Sequence, residues 1–185
     1  MADIEEKMTE APISTPPQAY MDIISSLIDK ARGFLEAGEK LQAMAFVGNL
    51  TTKEVIPVMI QPGSGEDKDQ SARTIQSAAL ALDADFVSTI MEAWSLRPSK
   101  VSQMAAILDK YGSIGASPYA IDICALTLET KRGVWISQPQ IMPKGISKKK
   151  RTLGAVEFRY FTEVGGRFMH LLPKKEGDEP PTILH

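Results

Sequence analysis

The sequence predicts an α+β fold: a single mixed, largely antiparallel sheet of about seven strands, packed with three helices. Three observations carry this expectation. The stretch Ala84-Asp85-Phe86-Val87-Ser88-Thr89-Ile90-Met91-Glu92-Ala93-Trp94 reads as a buried strand with a helix on either side in the chain. Apolar residues recur at helical spacing in three segments, and these alternate with strand-like runs in the first two thirds of the sequence. Four strand-like runs then follow as two hairpins. At 185 residues the chain suits one core, expected over 15–172, between a flexible acidic tail at 1–14 and a second flexible tail at 173–185.

The elements follow in order. Thr15-Pro16-Pro17-Gln18 is a helix start, with Thr15 as cap, proline in the first turn and Gln18 where a capping-box partner belongs. Tyr20, Ile24, Leu27, Ile28, Ala31, Phe34 and Leu35 make the apolar face, and Gly38 ends the helix. Residues 42–50 and 55–61 read as strands. Pro57 cannot donate to a ladder, so it places the second of them at an edge or a bulge. A glycine turn leads into a helix over 66–82 whose acidic first turn (Glu66, Asp67, Asp69) suits the helix dipole. The buried strand runs over 85–94. Arg97-Pro98-Ser99 opens a third helix with the stripe Val101, Met104, Ala105, Leu108 and Tyr111, stopped by Gly112. The first hairpin has arms 120–130 and 134–141, and the second has arms 155–164 and 167–172 about Gly165-Gly166.

Composition narrows the function. One cysteine, Cys124, excludes an intrachain disulfide framework and a cysteine-rich zinc site. The acidic N-terminus resembles no signal peptide, and no run approaches the roughly 18 apolar residues that span a bilayer. The expectation is a cytoplasmic protein with no membrane, metal or cofactor. Charge is uneven. Residues 1–92 hold 7 Lys/Arg against 15 Asp/Glu, whereas 144–175 hold 9 against 2.

Four groupings could carry chemistry. Gly63-Ser64-Gly65 stands at a helix start, where phosphates bind, but Lys68 is followed by Asp69 rather than the Ser or Thr of a P-loop, and three nearby carboxylates would repel the anion. Glu92 shares a strand face with Ile90 and Trp94. Burial there would raise its pKa towards a general base, whereas exposure would pair it with an arginine such as Arg97. His170, placed in the last strand, is the one histidine away from the terminus, and neither Ser88 nor Cys124 sits in a nucleophile elbow. Finally, Lys144 to Arg151, with Lys148, Lys149, Lys150 and Arg151, forms a basic loop between the hairpins. Trp135, Arg159, Tyr160 and Arg167 lie on the flanking strands, so that lysine and arginine could meet phosphates and aromatics could meet bases.

Lys68-Asp69 on a helix, followed by Ala84-Asp85-Phe86-Val87 and Glu92-Ala93-Trp94, resembles a set of uncharacterised bacterial and phage proteins. In these a Lys-Asp helix feeds a strand ending in Glu-Ala-Trp. The likeness covers residues 40–96 and, more loosely, the first hairpin, and it departs at the helix around Ser99 to Tyr111. The resemblance implies a bacterial or mobile-element origin and brings no activity.

The leading expectation is a small non-enzymatic protein that binds another protein, with Trp94 and Trp135 among its contact residues. Self-association through an open sheet edge is a further expectation. The alternatives are nucleic-acid binding through 144–151 and a carboxylate-dependent hydrolase centred on Glu92.

Overall fold

A computed structural model describes residues 11–173. The tail residues 1–10 and 174–185 lie outside the described residues. Helix α1 spans Gln18–Ala37 and buries Ile24, Ile28, Ala31 and Leu35 on one face. Thr15 does not cap it: Pro17 holds the cap position without a side-chain bond, and Gln18 turns forward to Asp22. Gly38, at φ 85°, ends the helix as expected, its amide donating to the Leu35 carbonyl.

The remaining elements are β1 (Met44–Asn49), β2 (Glu54–Met59), α2 (Gly65–Ala81), β3 (Phe86–Leu96), a 3-10 segment (Pro98–Gln103) running into α3 (Met104–Tyr111), β4 (Ala120–Thr130), β5 (Gly133–Ser137), β6 (Ile141–Lys144), β7 (Ser147–Leu153) and β8 (Arg159–Phe161). Six strands form one sheet in the order β2-β1-β3-β4-β5-β8, and β6 and β7 form a second of two strands. Every pairing between named strands is antiparallel. The α+β class and the three helices stand as the sequence predicts.

The period of two along each strand sorts the core into two layers. Phe86 and Ile90 of β3, Leu126 and Leu128 of β4 and Trp135 of β5 pack with α1. Val87 joins Ala45 and Val47 of β1 beneath Ile75 and Ala79 of α2. Small residues on α2 let it lie close to the sheet, and Ser64 starts it with a capping box closed by Asp67. Gly48 is required by its neighbour: a Cβ there would lie 2.2 Å from the Phe86 ring. Each large apolar side chain fully buried in these layers contributes about 1.5–3 kcal/mol.

Two expectations for the C-terminal part of the chain are corrected. Residues 144–151 are not a loop. Gly145, at φ 68°, turns the chain, Lys144 pairs with Ser147, and 147–153 is a strand. A glycine first in a two-residue turn is the signature of a type II′ hairpin. This hairpin also explains the second sheet. The β4–β5 register continues through the Ile123↔Gln140 bridge, after which the chain curls over α1 and places Ile141 and Leu153 in its core.

The last hairpin is also corrected. Arg159–Phe161 is its one strand, and 167–172 forms turns and bends in which His170 sits at φ 58°. The outer edge of β8 is already occupied, since Ile13 bridges to Arg159 and the Ser14 amide donates to the Phe158 carbonyl. The chain after Val164 instead drops onto the α2 side of the sheet. There buried Glu129 accepts the amides of Leu171 at 3.0 Å and Leu172 at 3.1 Å in place of a neighbouring strand.

Pro57 lies in edge strand β2, as expected. The Ile60 amide donates to the Ala43 carbonyl, so the alternation of the ladder turns the Pro57 nitrogen away from β1. Proline therefore costs the sheet no bond, and it leaves the open edge short of one donor.

Candidate functional site

The long central strand β3 carries Glu92 and Trp94 beyond the part covered by α1. Directly opposite on β4 stand Cys124 and Asp122. Arg151 arrives from β7. Its Nη1 lies 2.8 Å from Glu92 Oε2 and its Nη2 lies 2.9 Å from Oε1, a two-pronged pair. The Leu41 amide adds a third bond, 2.9 Å to Oε1. Arg97, the partner expected from the sequence, instead donates to the Pro118 carbonyl.

This geometry decides the chemistry of Glu92. Burial is the largest influence and pushes its pKa up. Arg151, the Leu41 amide and the charge of Lys40 together outweigh burial, and the carboxyl is held below its ordinary value. Of the two readings weighed from the sequence, pairing with an arginine is the one seen, with Arg151 in place of Arg97. Glu92 is a fixed anion serving an ion pair.

The other groups that could react are similarly committed. Burial, aided by the Glu92 charge, pushes the Cys124 thiol up to about 12. Ser88 Oγ donates to the Thr127 carbonyl at 2.9 Å. At the Gly63-Ser64-Gly65 turn, Asp67 accepts both the Ser64 amide and hydroxyl, each at 2.8 Å, so a carboxylate of the chain itself takes the place where a phosphate would go. Those Ser64 bonds hold the Asp67 pKa below its usual range. Among the described residues no group of three or more His, Cys, Asp or Glu could hold a metal ion, and no helix is long and apolar enough to cross a membrane.

Trp94 is different. Its side chain is 60% exposed, yet the indole is seated: a Cβ on Gly115 would lie 2.6 Å from its Cε3. The ring thus rests on the glycine backbone, with Asp122 across the ladder and the Glu92–Arg151 pair two residues back on the same face.

The aromatic and basic residues assigned to nucleic acid do not meet on one surface. Trp135 is buried against Tyr160, with ring centroids 4.7 Å apart. Arg159 donates to the Ala11 carbonyl, and Arg167 pairs with Asp69 at 2.8 Å. Arg151 is spent on Glu92. Lys148, Lys149 and Lys150 remain exposed on β7.

Two groups that sequence reasoning missed stand out, one beside this site and one in a separate cleft. Glu36, on α1, accepts Thr152 Oγ1 at 2.8 Å and pairs with Lys144, tying the hairpin to the helix. The Lys144 bond, followed by that from Thr152, lowers the Glu36 pKa. Ser137 on β5 is buried, and its Oγ lacks a partner at the wall of a shallow cleft of about 370 Å³ that Leu96, Ile123 and Arg159 also line. The spacing of Ser137 in the sequence marks it only as a strand residue.

No family model, curated protein or solved structure matches this chain.

Proposed function

We propose that this chain is a small non-enzymatic binding protein of the cytoplasm, of phage or mobile-element origin, and that its partner is another protein. One observation carries the reading: Trp94 is a large aromatic exposed at the surface and seated against Gly115. The Gly115 backbone supports one side of the indole, and tryptophan with nearby arginine is the composition of an interface anchor. Asp122 and the Glu92–Arg151 pair give its rim polar groups of both signs.

The hydrolase alternative draws no support from a Glu92 neutralised by Arg151. The test is affinity capture with the tagged chain from its native cells, before and after nuclease, alongside Trp94→Ser. A stoichiometric protein retained after nuclease by the parent chain and lost from a folded Trp94→Ser variant supports the reading. Equal retention by the variant, or loss on nuclease treatment, overturns it.

A further inference from the structure

The nine residues from Met142 to Lys150 are all exposed, the longest exposed run among the described residues that belongs to a regular element. They include four lysines and no acid. Lys144 is occupied by Glu36, and no ion pair is formed by Lys148, Lys149 or Lys150 among the described residues. At the tip stands Ile146, fully exposed and in contact with no core cluster.

We infer that hairpin β6–β7 is an arm for double-helical nucleic acid, with Lys148, Lys149 and Lys150 on phosphates and Ile146 against the groove. Charge complementarity requires an anionic partner, and three features select a duplex. A two-stranded antiparallel ribbon has the width that a groove admits. Lys148, Lys149 and Lys150 fall where the β6–β7 register shifts between Pro143 and Lys144, so they stand together outside the ladder as one cluster of positive charge, suited to a duplex that carries a phosphate charge about every 1.7 Å along its axis. An apolar side chain at the end of a basic ribbon is the wedge that groove-binding arms use against base steps. Arg151 has a separate role: locked to Glu92, it anchors the arm to the sheet.

The inference goes beyond the protein-binding reading and uses a different surface, so either can fail alone. It is tested by fluorescence anisotropy of a labelled DNA duplex titrated with the full chain at several salt concentrations. Three phosphate contacts predict a slope of log affinity against log salt of about −2.7. Reversal of Lys148, Lys149 and Lys150 to Glu should weaken binding at least tenfold over that salt range, by roughly the loss of all three contacts. The same three changed to Gln should flatten the slope without adding negative charge beside α1. Ile146→Ser should weaken binding while leaving the slope unchanged, because it removes no charge. Absence of binding at low salt, binding indifferent to the lysine variants, or binding to phosphatidylserine vesicles without binding to the duplex would each overturn it. Thermal melts confirm that every variant is folded.

Discussion

Arg151 closes both guanidinium nitrogens on Glu92, joining a hairpin outside the main sheet to the strand at its centre. The side chains are 24% and 30% exposed, between a surface pair and a buried one. Arg151→Met should therefore cost about 1–3 kcal/mol in urea denaturation, more than a surface pair contributes, because Glu92 is left without its counter-charge. Combined with Glu92→Gln, the two losses should fall short of their sum by about 1 kcal/mol. Simple additivity would show that the pair is energetically inert.

The same pair sets an acid limit. The Glu92 pKa is lower in the folded chain than in the unfolded one. Its contribution is therefore fully present above the ordinary carboxyl value of 4.5 and is lost as pH falls through the lower folded value. Glu36 and Asp67 shift the same way and add to the trend. Thermal melts from neutral pH downwards should show the melting temperature falling below pH 4.5. The fall should be shallower in Arg151→Met, where Glu92 no longer gains from ionising.

Cys124 has the opposite linkage. Its folded pKa, about 12, lies above the ordinary 9.0, so the neutral thiol stabilises the fold below pH 9 and that stability drains away as pH rises towards 12. At neutral pH a disulfide reagent should label Cys124 only when the chain unfolds, with a rate that follows the unfolding rate under denaturant. Prompt labelling of the native protein would contradict this burial.

Gly48 leaves room for one side chain only, that of Phe86. Gly48→Ala forces its Cβ into the ring, 2.2 Å away, in the second strand of the sheet. Phe86 is fully buried and packed edge-on to Tyr20 at 5.7 Å, so it cannot swing clear. The expected loss is about 2–3 kcal/mol by chemical denaturation, the usual cost of overpacking.

Ser137 should respond the other way. Its buried hydroxyl has no partner, so Ser137→Ala removes a desolvated polar group and leaves the fold unchanged or up to about 1 kcal/mol more stable. A clear destabilisation would mean that the hydroxyl is satisfied by bound solvent in the cleft.

What the sequence revealed depended on how local the signal was. Gly38, the stripe from Ile24 to Leu35, the long strand through Ile90 and the edge position of Pro57 were legible, because each rests on a spacing or a stereochemical rule within a few residues. The hairpin at Gly145 was hidden by its own lysines: a run of charge reads as loop, although one glycine fixes the turn. Residues 167–172 alternate like a strand, but Ile13 had already taken the edge they would have used, and the need was met by Glu129. The partner of Glu92 lies 59 residues away on another sheet. No pattern along the chain distinguishes Arg151 from Arg97 or Arg159 as the arginine that arrives there.

The two ends of the main sheet limit what other molecules can do to it. At β8 the strand edge is roofed by the segment around Ile13, and at β2 the row of outward donors is broken at Pro57. A neighbouring chain cannot lengthen the sheet without displacing the first or leaving an acceptor unmet at the second. Any pairing at either end of the sheet would therefore have to proceed around Ile13 or with one hydrogen bond fewer at Pro57.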